Sequence, residues 1–408
     1  MQRRRFLRLL PAAPLTTAAA RLWAAPSIHE ETPRFLLVFL RGGYDATNFL
    51  VPYASDFYYE SRPGIAVPRP GSGNAAAVAL DADWALHPAL TDTLLPMYRQ
   101  KQAAFVPFAG TRDMSRSHFE TQDHIELGQG SRARDFRNGF LNRLATVVGS
   151  RAQPMAFTAQ LPLSLQGPDR VPNMAMTVVG PRDVDVRSSD LIAQMYRGTD
   201  MGPAVREGFA VGREVAADMR DAAASGYAAE MVAASRGATN PRSFAAQASR
   251  IGTLMRMRFN IGFVDIGGWD THVGEAGRNG SEGQLAQRLA ELGSGLAALP
   301  HAMGPAWNQT VVVVLSEFGR TFRENGNRGT DHGHGTVHWV LGGDVRGERI
   351  AGEQLRIAPD TLNQNRDWPV LTDYRDLLGG IFRKQWGLGP SQLDIVFPGA
   401  TPVDLRLV

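Results

Sequence analysis

Four short stretches of the 408-residue sequence gather carboxylates, imidazoles and a guanidinium: Gly42-Gly43-Tyr44-Asp45, Trp269-Asp270-Thr271-His272, Ser316-Glu317-Phe318-Gly319-Arg320 and Thr330-Asp331-His332-Gly333-His334. Together they offer Asp45, Asp270, Asp331, Glu317, His272, His332 and His334. Carboxylates crowded together repel unless protons or a cation intervene, and neutral imidazole with carboxylate is a natural ligand set for Zn²⁺ or Mn²⁺, as one ion or two. The chain has no cysteine, which excludes thiolate ligands, disulfides and cysteine nucleophiles. A metal here has to be held by His, Asp or Glu.

A fifth stretch, Ser115-Arg116-Ser117-His118-Phe119-Glu120, supplies what a hydrolase needs besides a metal. Ser117 followed three residues later by Glu120 fits a capping box and predicts a helix from Ser117 through Glu126. The free N–H groups at such a helix start favour an anion, and a hydroxyl placed there can be activated by a metal. Ser117 and His118 are the leading catalytic candidates, with Ser115 or a water as other nucleophiles, and Arg112, Arg116 and Arg320 could hold an oxyanion through their planar forks. Each stretch also has a plainer reading. Asp45 could be a turn residue, Asp270 an N-cap beside a surface His272, and Ser117 only a cap. Glu317 and Arg320 could be a buried ion pair, and His334 and His338 packed imidazoles. His29, His87, His124 and His301 read as structural or exposed.

These stretches sit where predicted elements end. Residues 34–40 form a continuous apolar run of the kind a buried central strand shows, and 103–108, 259–266, 310–315 and 337–341 have the same character. Helical spacing marks 87–100, 282–299 and 372–385, while 54–83 reads as a Gly/Pro-rich surface excursion and 150–180 as two short strands. The Ala-rich section 181–258 reads as mostly helical. Strands alternating with helices predict an α/β fold, a largely parallel central sheet with helices on both faces. In such sheets chemistry gathers beyond the carboxyl ends of the strands, where Asp45, Asp270, His272 and Glu317 would fall.

With 43% hydrophobic and 20% charged residues, the chain can bury a core, which excludes a disordered polymer. The formal charge of +3 includes Arg3, Arg4, Arg5, Arg8 and Arg21 in a 25-residue leader without acidic residues; removing those five leaves −2, so net charge supports no nucleic-acid partner. That leader joins paired arginines to Phe6-Leu7, a short Ala-rich run and a small-residue exit near Ala25, and it resembles a twin-arginine export signal. The expectation is a signal peptide over 1–25, recognised by the twin-arginine translocase, and one domain over 26–408 delivered to the periplasm or secreted. No later run reaches about 18 uninterrupted apolar residues, so no membrane span is expected in the mature chain.

The phrases Phe39-Leu40-Arg41-Gly42-Gly43-Tyr44-Asp45, Arg116-Ser117-His118-Phe119-Glu120, Gly267-Gly268-Trp269-Asp270-Thr271-His272, Ser316-Glu317-Phe318-Gly319-Arg320-Thr321 and Gly329-Thr330-Asp331-His332-Gly333 resemble the twin-arginine-exported family called domain of unknown function 1501. The resemblance covers nearly the whole mature chain. It implies an alkaline-phosphatase-like fold, in the superfamily that includes sulfatases and phosphodiesterases. It also implies Asp45 as the first-strand metal Asp, Ser117 at the nucleophile position, Asp270 and His272 as ligands of the first metal, and His332 as the final His ligand. Glu317-Phe318 stands where many relatives have Asp-His; phenylalanine cannot bind metal, and Asp331 or His334 would then substitute. Two functions follow. One is an exported metal-dependent hydrolase of a small or polymeric anionic phosphate or sulfate ester; the other is a non-catalytic exported binding or assembly protein on the same scaffold, with a structural metal.

Overall fold

The computed structural model describes residues 28–130, 135–176, 199 and 226–408. The expected leader, 1–25, and most of the Ala-rich section from 181 onward lie outside the described residues. The strands are β1 (Arg34–Leu40), β2 (Leu50–Val51), β3 (Val78–Ala79), β4 (Ala85–Leu86), β5 (Ala103–Gly110), β6 (Pro154–Ala156), β7 (Ile261–Ile266), β8 (Thr310–Ser316), β9 (Thr336–Leu341), β10 (Arg349–Ile350) and β11 (Thr372–Asp373).

All seven residues of β1 are buried, and alternate side chains enter two separate apolar layers: Leu36, Val38 and Leu40 one, Phe35, Leu37 and Phe39 the other. A strand without a polar face belongs in the middle of a covered sheet. The main sheet runs β10-β5-β9-β8-β1-β7-β6, with β11 also pairing β5. β1 pairs in parallel with both β7 and β8. Val312 and Val314 of β8 face one layer and Val311 and Val313 the other, each fully buried and each worth roughly 1.5 kcal/mol or more relative to exposure. The sheet is mixed but mostly parallel: β9 alone among these strands runs antiparallel, to β5 and to β8.

The helices are α1 (Ala46–Phe49), α2 (Asp56–Ser61), α3 (Leu94–Arg99), α4 (His118–Leu127), α5 (Phe140–Val148), α6 (Gly226–Ser235), α7 (Pro241–Met257), α8 (Gln284–Met303), α9 (Tyr374–Trp386) and α10 (Pro390–Val396). α7 and α8 cover one face of the sheet with Phe244, Ile251, Leu289 and Leu296. α5, α9 and α10 cover the other with Leu141, Leu144, Leu378, Phe382 and Val396. No helix among the described residues is long and apolar enough to cross a membrane.

Three local expectations are corrected. The stretch 54–83 is not a bare excursion, because it contains α2 and contributes β3 to a small antiparallel sheet, β2-β4-β3. Of the two strands expected over 150–180, β6 forms, but the second reduces to an isolated bridge at Asn173. The capping box at the head of α4 does not close: Ser117 is the N-cap residue but makes no side-chain cap hydrogen bond, and Glu120 Oε2 instead accepts from Ser115 Oγ at 2.7 Å.

Candidate metal centre

β1, β7 and β8 run in the same direction, so the residues after Leu40, Ile266 and Ser316 emerge at one edge of the sheet. Because β9 is antiparallel to β8, the loop that precedes it, with Asp331, His332 and His334, starts from that same edge. β5 also ends there and feeds the head of α4, where His118 stands. Five chain segments thus meet at one place.

Asp270, almost wholly buried, is the meeting point. Its Oδ1 lies 3.0 Å from His272 Nε2, 3.1 Å from His332 Nε2 and 3.4 Å from His118 Nε2, and accepts a 2.5 Å hydrogen bond from Arg320 Nη2. His272 Nε2 and His332 Nε2 are themselves 3.0 Å apart. Each ring is fixed from behind. His118 Nδ1 is 2.8 Å from Glu317 Oε1, His332 Nδ1 is 2.9 Å from the Arg116 carbonyl and His272 Nδ1 is 3.3 Å from Asp331 Oδ1. A carbonyl or an ionised carboxylate can only accept, so each Nδ1 carries the proton and, in the neutral ring, each Nε2 presents a lone pair. With all three rings neutral, three lone pairs and one carboxylate oxygen converge; with His118 protonated, its buried Nε2 faces Asp270 Oδ1 across 3.4 Å. Such an array needs a cation, either a proton or a metal. A tetrahedral Zn²⁺ with bonds of about 2.0 to 2.1 Å sets its ligand atoms about 3.3 to 3.4 Å apart, close to the 3.1 and 3.4 Å from Asp270 Oδ1 to His332 and His118. His118, Asp270 and His332 are one of two groups among the described residues whose ligand atoms could hold an ion, the other being Glu230, Asp270 and His272.

The charges follow from these contacts. Burial would raise the Asp270 carboxyl, but the three imidazoles and Arg320 hold it well below the usual carboxylate range. Burial would likewise raise Glu317, but His118 and Gln122 bring it down to about 2. Burial works against a charged His118, yet Asp270 and Glu317 carry its pKa up to about 9. Burial pushes His332 down.

The expected site residues take different places. Asp270, His272 and His332 come together, joined by His118. Glu317 and Asp331 stand one step back, behind the rings of His118 and His272. Arg320 does not pair with Glu317. Its side chain is fully buried, donates to the carbonyls of Gly42, Gly43, Trp269 and Thr330 as well as to Asp270, and so ties four loops together instead of facing an oxyanion. Arg116 and Arg112 face Asp367 and Asp376. Asp45 is outside the cluster: Arg62 grips it with bonds of 2.5 and 3.1 Å, and its Oδ1 caps α1. Among the described residues His334 belongs to neither group of possible metal ligands. Phe318 packs its ring 4.8 Å from that of His118 and 5.0 Å from that of His332. Ser117 is half-buried beside His118, with a hydroxyl that caps no backbone N–H.

Four polar residues of this neighbourhood are not among the residues singled out from the sequence. Gln122 donates to Glu317 Oε1 at 3.0 Å and accepts from Arg41 at 2.9 Å; its place one turn after His118 on the same predicted helix was the available signal. Arg62, Glu275 and Glu230 had none. Glu275 is fully buried, accepts from Thr271 and Thr330, and is pushed well above its ordinary value by burial and by Asp45.

Among solved structures the chain is similar to the crystal structure of Ps i-CgsB in complex with k-i-k-neocarrahexaose, at 10% identity and a TM-score of 0.38, covering 91% of this chain and 75% of that one. The crystal structure of Ps i-CgsB alone is similar at 8% identity and a TM-score of 0.35, with the same coverage. Similarity at this level transfers neither a fold assignment nor an activity. No curated protein matches the chain. The loops that meet at Asp270 and the strands that carry them all fall within residues 32–397, the span matched by one family, and the chain belongs to that family, described as protein of unknown function (DUF1501).

Proposed function

We propose that this protein is an exported, metal-dependent hydrolase of a phosphate or sulfate ester on an alkaline-phosphatase-like scaffold, with Zn²⁺ or Mn²⁺ as its ion. The observation that carries the reading is the convergence of three Nε2 atoms on Asp270 Oδ1, each ring oriented through its Nδ1 by an acceptor. Imidazoles buttressed in this way are the usual pattern of metal-binding histidines. A divalent ion held there would polarise an ester oxygen and lower the pKa of a hydroxyl or water beside it. Asp270, His118 and His332 would hold it, with His272 at the margin, while Glu317 and Asp331 keep the rings of His118 and His272 aligned. Arg320 neutralises Asp270 with a fixed guanidinium, which favours one ion over two. The uncommitted hydroxyl of Ser117 is the candidate nucleophile, and the first turn of α4 attracts the anionic ester. Export through the twin-arginine translocase, to the periplasm or beyond, completes the proposal.

One observation favours a second reading, a non-catalytic exported binding or assembly protein with a structural metal. Phe318 lays an apolar ring against two of the imidazoles, where a further ligand or a substrate group would otherwise approach.

The test uses purified protein loaded in turn with Zn²⁺, Mn²⁺, Mg²⁺ or Ca²⁺ and assayed on a phosphate monoester, a phosphate diester and a sulfate ester. Turnover is expected with at least one ion. Asp270→Ala and His332→Ala should lose turnover and metal content together, whereas Ser117→Ala should lose turnover with metal retained. Activity surviving Ser117→Ala assigns the attack to water. Silence in a protein shown to hold metal moves the conclusion to the binding protein.

A further inference from the structure

We propose that Glu230 is the solvent-side ligand of the metal centre, a carboxylate delivered by α6 and not by a loop at the sheet edge; this rests on the metal-centre reading above. The ligand atoms of Glu230, Asp270 and His272 lie within 4.8 Å of one another, a second group that shares Asp270 with the inner one. Glu230 is exposed, His272 half-buried and Asp270 buried, so Glu230 stands on the open side.

Exposed carboxylates often lie near histidines without binding anything, and what distinguishes this one is how its helix is anchored. The end of α6 is bonded to the framework of the site itself. Gln122 Nε2, which donates to Glu317 Oε1, also donates to the Ala234 carbonyl at 2.8 Å. Ser235 Oγ accepts from the Gly268 N–H at 2.9 Å, two residues before Asp270. Just beyond the helix, the Thr239 N–H donates to the Asp265 carbonyl at 3.1 Å and Gly267 returns a bond to Thr239 at 2.8 Å. The contact is tight: a Cβ on Gly267 would lie 2.5 Å from Ser235 Oγ. Glu230 precedes the buried Ala234 by four residues, one helical turn, so the two share a face and the anchored turn holds Glu230 over the cluster. Gln122 thus supports His118 through Glu317 and Glu230 through Ala234. As the exposed member of the set, Glu230 is the ligand that an incoming anion meets first.

The test is a Co²⁺ titration of the full chain, wild type and Glu230→Gln, followed by visible absorption and by competition with a chelator. Glu230 is exposed, so the variant should fold with an unchanged melting temperature in the absence of metal. The expected result is an affinity at least roughly ten-fold weaker, the smaller loss seen when even an outer partner of a metal site is removed, with an altered Co²⁺ spectrum. Equal affinity and an unchanged spectrum in the two proteins overturn the role of Glu230 and leave the inner site standing. Absence of Co²⁺ binding to wild type overturns the metal centre and this proposal with it.

Discussion

Asp45 and Asp270 occupy the same local setting, a Gly-Gly-aromatic-Asp phrase just past a fully buried strand, and their side chains have opposite fates. Asp270 meets three imidazoles and Arg320. Asp45 meets Arg62, whose own side chain is fully buried, and the carboxyl of Glu275. Despite burial, Arg62 and Glu275 hold Asp45 below its ordinary value, while Glu275 is raised, as expected when two buried carboxyls share one site beside Arg62. Removing the cation leaves buried charge without compensation. Arg62→Met should therefore cost roughly 3 to 5 kcal/mol of stability, read as a lower urea midpoint, while the His118–Asp270–His332 group keeps its residues. An unchanged midpoint would show that the pair contributes nothing.

At the scale of elements, the site depends on how closely the turns after β1, β7 and β8 approach. Gly42 has φ of +123°, and a Cβ there would lie 2.6 Å from the Asp270 nitrogen and 2.9 Å from the Trp269 carbonyl carbon. Its N–H donates to Glu317 Oε1 at 2.7 Å, and its carbonyl accepts from Arg320 at 2.6 Å. One glycine thus touches the loops that carry Asp270, Glu317 and Arg320. Gly42→Ala should introduce strain of about 1 to 3 kcal/mol and push the β1 turn away from Asp270. A lower melting temperature accompanied by reduced metal content is the expected result; a variant that loads metal as wild type does would show that the turns can separate without harm. The direction of β9 acts at the same scale. Were it parallel, His332 would begin at the opposite edge of the sheet.

At the scale of the whole molecule, two histidines outside the cluster tie stability to pH. His87 is fully buried, its Nδ1 accepting from the Ala89 N–H and its Nε2 donating to the Gly280 carbonyl, an arrangement that only the neutral ring satisfies. His338, buried in β9 with the charge of Asp373 acting on it, has no hydrogen-bond partner on either ring nitrogen among the described residues. Burial lowers both pKa values to about 4 from 6.5. The unfolded chain therefore takes up these protons first. Their contribution is complete above about pH 6.5 and is lost as pH falls toward about 4, by about 3 kcal/mol per group at the limit. His338→Leu should flatten this dependence, so that the urea midpoint drops less between about pH 7.5 and about pH 4.5 than it does in wild type. An equal drop in the two proteins would exclude His338 as a source of acid lability.

The strands around the site, the sheet edge where their loops emerge and the phrases that hold Asp270, His272 and His332 are legible in the sequence, because each depends on apolar runs and turn residues within a few positions. Which acid joins the imidazole cluster is not. His118 and Glu317 lie 199 residues apart and Arg320 and Asp270 50 apart, and the direction of each side chain is set by the sheet that joins them. The tertiary structure alone took Asp45 out of the cluster, moved Glu317 behind His118, turned Arg320 into a buried tie and brought Glu230 in on a helix with no local motif. Local pattern states what a residue can donate or accept; only packing decides which partner it meets, because a buried charge must be compensated by whatever group the fold puts within reach.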